Sequence, residues 1–262
     1  MNDNSSETEL LSGDFVPQVI IDGHPLVPVP DPTAQYYRCH GMLVTQRTVG
    51  VGRGSGTLIA AGTGFGILTC AHVLFDPATG GPGAGAEFSP AMTEDTLPYG
   101  TITVEGGRLR IPQAYIDQPE RGGRNDYAVV RLTREQIPAD VGPLATMQPV
   151  APWQPATVQV TGYPNVSPER PNPAMYYSRG VTLNDPAVGG LLRYNASTRF
   201  RSSGSAVCRV HSGEGGAQVP DLAHVNAVHV AGYEAADPDD RYNWGVYLTS
   251  EIIQWITEQV GG

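Results

Sequence analysis

The hydrophobic positions along this chain change period only once. Over most of its length apolar residues come in short alternating or continuous runs, each closed by Gly, Pro, Asn or Asp, and that pattern predicts strands. A Pro-spaced stretch, VPQVIIDGHPLVPVPDP, reads as an extended strap. GMLVTQRTVG and GSGTLIAAG read as two strands flanking a Gly-rich turn, and GFGILTCAHVLFD as a strand ending at His72. DPATGGPGAGAEFSP reads as loop, YGTITVEGGRLRI as a hairpin turning at Gly-Gly, and DYAVVRL as a short buried strand. TREQIPADVGPLATMQPVAPWQP is turn-rich and marks a crossing between two halves. The second half repeats the style in ATVQVTGYP, AMYYSRGVTL, LLRYNAS, GSAVCRV, VNAVHVAGY and NWGVYLT. Only the tail differs. Ile252, Ile253, Trp255, Ile256 and Val260 share one helical face, Thr249 or Ser250 can cap the start and Gly261 can end it. About a dozen strands followed by one helix predict an all-β protein: two six-stranded antiparallel β-barrels closed by a C-terminal α-helix. The expected division is an N-terminal extension over 1–35, a first barrel over 36–145, and a second barrel with the helix over 146–262.

Composition agrees with many turns. The chain has 262 residues with 32 Gly and 23 Pro, and only 16% are charged. Its net charge of −10 argues against nucleic acid or an anionic membrane as the main partner. All sixteen basic residues are Arg, which codon bias explains most simply. No run of about 18 apolar residues is present, so no membrane-spanning helix is expected. The polar, acidic start, MNDNSSETELLSGDF, lacks the features of a signal peptide. It reads as a flexible extension, and the chain as cytoplasmic, or secreted if a signal precedes it. Cys39, Cys70 and Cys208 have no framework spacing and read as reduced thiols. Asn195-Ala-Ser197 matches a glycosylation sequon, a triplet frequent by chance. No cofactor is implied, and His211 and His224 lack the spacing of metal ligands.

Three positions carry chemistry in combination. His72 follows an apolar strand, Asp126 precedes one, and Ser203 sits in a Gly-containing turn before another. Each alone is an ordinary strand-end or turn residue. Together they supply a nucleophile, a base to take its proton, and a carboxylate to hold the base in the productive tautomer. His72 and Asp126 fall in the first half and Ser203 in the second, which places a peptide-binding cleft between two barrels.

The order His, Asp, Ser is that of chymotrypsin-type proteases, and the resemblance extends further. GSGTLIA, Val160-Thr-Gly-Tyr-Pro164, Met175-Tyr-Tyr-Ser-Arg-Gly180 and Ala227-Val-His229-Val-Ala-Gly232 resemble, in consistent order across residues 40–258, segments of the glutamyl endopeptidase branch of the trypsin-like serine proteases. The resemblance implies catalysis by His72, Asp126 and Ser203, with the backbone N–H groups of Arg201 and Ser203 as the oxyanion hole. Ser197 stands where trypsins place the Asp that selects Arg or Lys. Thr198 and His229 match the residues that bind a substrate carboxylate in glutamyl endopeptidases, implying cleavage after Glu and secondarily Asp. The partner is then a protein or peptide substrate, and an activating protein partner is possible.

Two features depart from the pattern. Residues 1–18 precede Val19-Ile-Ile-Asp-Gly; in secreted members of the family the mature N-terminal amine helps form the acid pocket, and cleavage before Val19 or Ile20 would expose such an amine here, so this extension reads as a propeptide of a zymogen. The nucleophile loop, RFRSSGSAV, carries Arg201 where the family has Gly, and Ser202 where it has Asp or Asn. Arg retains the N–H but lacks glycine's backbone freedom. Arg199 and Arg201 could also attract acidic peptides. The alternative function is a silent or partner-activated pseudoprotease that serves as a protein-binding module.

Overall fold

A computed structural model describes residues 15–16, 19–149, 154–166, 173–186, 189–213, 218–233, 237 and 240–261. Of the N-terminal extension, only Phe15, Val16 and Val19 onward lie within it.

In chain order the described strands are β1 (Phe15–Val16), β2 (Val27–Pro28), β3 (His40–Gln46), β4 (Val51–Ala61), β5 (Gly64–Thr69), β6 (Phe75–Asp76), β7 (Gly81–Pro82), β8 (Gly85–Pro90), β9 (Ile102–Glu105), β10 (Leu109–Arg110), β11 (Ala128–Leu132), β12 (Thr146–Met147), β13 (Thr157–Gly162), β14 (Tyr176–Val181), β15 (Leu191–Tyr194), β16 (Ala206–Ser212), β17 (Gln218–Pro220), β18 (His224–Val225), β19 (Ala227–Tyr233) and β20 (Tyr242–Tyr247). The α-helices are α1 (Ala71–Leu74), α2 (Gln113–Asp117) and α3 (Ser250–Gly261).

The first sheet runs β10-β11-β5-β4-β3-β8-β9. Its two end strands are successive parts of one segment, interrupted by a 3-10 turn at Gly106–Arg108, so β9 on β8 and β10 on β11 close the sheet into a six-stranded barrel. The second sheet runs β15-β20-β19-β16-β13-β14. A bridge between Thr182 and Tyr194, with Leu183 N–H donating to Arg193 O at 2.9 Å, closes it in the same way. The short strands β1, β2 and β17 are additions to this second barrel. Closure leaves few unpaired edges, which suits a chain of short strands.

Two sequence expectations are corrected. The stretch read as loop contains β8, whose Ala86 and Phe88 are buried and which pairs with β3 throughout. Its glycines mark close approach rather than a bend: a Cβ on Gly85 would lie 2.7 Å from Val104 O. The expected Gly-Gly hairpin does not form, because Gly106 N–H donates to Ala84 O at 2.7 Å and starts the 3-10 turn that sends β9 and β10 to different partners.

The core is continuous beneath the first barrel and reaches Val228, Val230, Trp244 and Val246 of the second. Leu43, Leu58, Ile67 and Phe88 are fully buried, and truncating one such residue to Ala costs about 2–5 kcal/mol. Although α3 follows the second barrel, it packs on the first. Trp255 meets Tyr127 edge to face at 5.3 Å between ring centres, and Ile256 and Val260 are buried. Its cap is Thr249, which accepts from Ile252 N–H at 3.3 Å.

Candidate active site

His72 is positioned by a change of secondary structure. Strand β5 ends at Thr69, Cys70 is still extended, and α1 begins at Ala71. The one-turn helix turns the imidazole to Asp126. His72 Nδ1–H donates to Asp126 Oδ2 at 2.7 Å, and the His72 backbone N–H donates to Oδ1 at 2.9 Å. Gly122 N–H donates to Oδ2 at 2.7 Å, so the fully buried carboxylate accepts three hydrogen bonds. The second barrel holds this turn from outside: Trp244 Nε1–H donates to Gly122 O at 2.8 Å. With its proton on Nδ1, the ring presents Nε2 as an acceptor, the tautomer a general base needs.

The turn carrying Ser203 is built from its own backbone. Ser202 N–H donates to Arg199 O, Ser205 N–H to Ser202 O, and Arg199 N–H to Ser202 Oγ at 3.1 Å. Gly204 has φ +85, and a Cβ there would lie 2.1 Å from Ser55 O and 2.2 Å from Thr69 Oγ1. Only glycine fits. Two strands anchor the turn. Ser55 N–H of β4 donates to Ser203 O at 2.7 Å, while Gly204 N–H and His229 O of β19 meet at 2.8 Å.

Arg201 adopts φ +74, the left-handed conformation a glycine would take without strain. Its carbonyl accepts from Ser55 Oγ at 3.0 Å. The preceding carbonyl, Phe200 O, accepts from Asn165 N–H at 2.7 Å. In a trans peptide the N–H points opposite to the C=O, so this bond directs the Arg201 N–H away from Asn165. Among the described residues no protein acceptor takes the N–H of Arg201 or of Ser203.

His72, Arg201 and Ser203 line one cleft of about 590 Å³, with Asp126 behind the imidazole. Ser203 Oγ and His72 Nε2 do not form a hydrogen bond in this geometry; Nε2 lies 3.6 Å from Cys70 Sγ. The donor atoms of Cys70, His72 and Asp126 lie within 4.8 Å of one another, a grouping that could hold a metal. However, Asp126 Oδ2 is already engaged by two donors, and burial pushes the Cys70 thiol well above its ordinary value, which keeps its proton on. Cys39 and Cys208 are also buried and free.

Thr198 and His229 are both buried, and neither is among the residues that line this cleft. Thr198 Oγ1–H donates to Asn243 Oδ1 at 2.8 Å. His229 Nδ1 meets the Tyr194 hydroxyl at 2.7 Å, and Nε2 is buried with no partner. Burial pushes the His229 imidazole down to about 3, so it is neutral at physiological pH. When Tyr194 donates to Nδ1, the ring proton rests on Nε2, an unused donor inside the protein. His211 and His224, set aside as ligands, both meet Asp221 at the surface, at 3.5 and 3.0 Å.

Sequence reasoning missed the support around these groups. Ser55 was visible only as part of a strand motif, yet it bonds to both Ser203 and Arg201. Asn243, whose Nδ2 donates to Val19 O and Ala196 O, carried no signal.

The sequence model of the trypsin-like peptidase domain matches residues 54–214. The chain belongs to that family. Among solved structures it is similar to a Glu endopeptidase (19% identity, TM-score 0.71, covering 93% of this chain and all of that one). It is also similar to the protease Anisep from Arthrobacter nicotinovorans (19% identity, TM-score 0.66, covering 91% and 99%). A thermostable serine protease, AL20, from an extremophilic microorganism is another such neighbour (20% identity, TM-score 0.64, covering 84% and 97%). A search of curated proteins found no significant match. At these identities the structural likeness shows the fold alone, that of the trypsin-like serine proteases. Among the described residues no helix is long and apolar enough to cross a membrane.

Proposed function

We propose that this protein is a serine endopeptidase that hydrolyses peptide bonds through an acyl-enzyme. Ser203 is the nucleophile, His72 the general base and then acid, and Asp126 the group that orients His72. The observation that carries the reading is the 2.7 Å bond from His72 Nδ1 to a buried Asp126 beside a cleft that also holds Ser203. The Arg201 and Ser203 N–H groups, both free of protein acceptors, form the oxyanion hole. Such donors stabilise the charge that develops on the substrate carbonyl, and losing one costs about 10²–10³ in rate.

The substrate residue before the cleaved bond is Glu, with Asp second. The unpartnered His229 Nε2 supports this, because a buried donor without an acceptor suits an incoming carboxylate. Thr198 joins it by releasing Asn243. A digest of a peptide library, with Ser203→Ala as control, tests class and specificity together. Cleavage after Glu is the expected result. Cleavage after Arg or large apolar residues overturns the assignment of Thr198 and His229.

The same reading makes the N-terminal segment a propeptide. Phe15 and Val16 pair with Tyr233 and Gly232 on the free edge of β19, where an extended substrate would add as a strand. Val19 O accepts from Thr198 N–H at 2.9 Å, and Ile21 N–H donates to Ser197 Oγ at 2.8 Å, so residues 19–21 are joined to the loop that carries Thr198. Cleavage before Val19 would clear the edge and leave a new amine there. N-terminal sequencing of active protein checks this; full activity with Met1 intact contradicts it. The absence of a Ser203–His72 bond favours a second reading, a protein-binding module whose cleft is not completed unless a partner resets it.

A further inference from the structure

The cleft beside Ser203 carries a charge that the rest of the chain does not. Of its sixteen lining residues, four are arginines (Arg47, Arg53, Arg121 and Arg201) and none is Asp or Glu. An even spread of the chain's sixteen arginines would place about one there. The protein as a whole has a net charge of −10, so this is a positive site in a negative molecule.

These cations are not neutralised internally. Among the described residues no carboxylate lies within ion-pair distance of Arg53, Arg121 or Arg201. Arg47 differs: its Nη2–H donates to His72 O and Val73 O, and Asp76 is close enough to favour its charge. The Arg201 Nε is buried and unpartnered. Burial, and secondarily the like charge of Arg53, lower the Arg201 guanidinium from its ordinary value. Two uncompensated like charges side by side at a cleft wall cost free energy, and an anion between them would recover it.

Their position relative to the scissile bond follows from the proposed function, on which this inference rests. A peptide whose Glu side chain faces Thr198 and His229 runs its preceding residues along the edge of β19. Its following residues then leave on the other side of Ser203, across the start of β4 and the Phe200–Arg201 turn. Val51, Gly52 and Arg53 line the cleft there, and β19 does not. We infer that this wall is a subsite for carboxylate side chains in the two residues after the cleaved bond, with Arg53 and Arg201 as the specificity-determining pair. The preferred substrate is thus an acidic segment, recognised on both sides of the bond by different chemistry: a buried neutral donor before it and the guanidinium groups of Arg53 and Arg201 after it.

The test uses protein cleaved before Val19 and two internally quenched peptides. Both carry Glu before the bond; one continues Asp-Asp and the other Ala-Ala, with the cleaved bond confirmed by mass spectrometry. The expected result is a kcat/KM roughly tenfold higher for the Asp-Asp peptide at low salt, narrowing as NaCl is raised. Arg53→Gln should reduce that ratio several-fold while leaving the Ala-Ala peptide unchanged. A wild-type ratio of one or less, or a ratio unmoved by Arg53→Gln and by the Arg53→Gln/Arg201→Gln pair, overturns the inference. Binding provides a readout that does not need turnover: on Ser203→Ala protein, the Asp-Asp peptide should displace a fluorescent peptide at lower concentration than the Ala-Ala peptide, and equal displacement overturns the inference. Failure of the protease reading looks different, as an absence of Ser203-dependent cleavage of either peptide.

Discussion

The two barrels contribute to the cleft in contrasting ways. The first delivers a finished part: His72 is bonded to the Asp126 carboxylate through its ring Nδ1–H and its backbone N–H, and the carboxylate is sealed by Gly122. The second delivers a poised part. Ser203 has no bond to the base, Arg201 is held at φ +74, and His229 Nε2 and Arg201 Nε are buried without partners. Pre-bonded groups make the base dependable, whereas groups without partners are where a substrate can gain free energy. The division is between the proposed base, fixed in advance by the first barrel, and the proposed nucleophile and the His229 donor, left without partners by the second.

That division can be broken at its strongest point first. Asp126→Asn should leave the fold intact and lower kcat by about 10⁴, because the amide favours the wrong imidazole tautomer; steady-state kinetics with thermal melts check both statements. Gly204→Ala attacks the second half at the backbone. With contacts of 2.1 and 2.2 Å to Ser55 and Thr69, it should cost about 3 kcal/mol or more in a urea titration and abolish activity with it.

The buried histidines sharpen the comparison through pH. Burial lowers His40, in the first barrel, to about 4, and His229 to about 3. The unfolded chain binds those protons near pH 6.5 and the folded one does not, so stability is full above about 6.5 and is lost as pH falls toward 4. For His40 the loss is of order 3 kcal/mol. Urea midpoints at pH 7 and 5 should differ, and the difference should shrink in His40→Gln.

Smaller effects concern selectivity and strain. His229→Gln should lower kcat/KM for Glu peptides by roughly tenfold or more, with little change for peptides bearing an apolar residue there. Arg201→Gly should change kcat by less than about threefold, since the N–H already has its direction; a rise of about 10²–10³ would show that Arg had turned the donor away.

How much of this was legible in the sequence differs between the same two halves. The apolar pattern exposed β3, β4, β5, β11 and the longer strands of the second barrel; at β5 and β11, buried along most of their length, it is a continuous run rather than an alternation. It failed at β8, where Gly, Ala and Pro serve close packing rather than turning, and at Gly106-Gly107, where local composition could not tell which neighbours the flanking strands would choose. The motif around His72, Asp126 and Ser203 was readable because each lies at a strand end with a distinctive neighbour. The arginine wall was not, since residues 47, 53, 121 and 201 meet only after both barrels close. Nor was the backbone of Arg201: the letter forecast a misfit, and the surrounding bonds from Ser55 and Asn165 hold it in glycine's conformation.

The central claim is that a working nucleophile arises from these two halves. A fluorophosphonate probe tests it most directly, applied to the full chain and to protein cleaved before Val19. The account predicts stoichiometric labelling of the cleaved form that Ser203→Ala abolishes and Asp126→Asn greatly slows. Labelling that survives Ser203→Ala, or no labelling in either form, would contradict it.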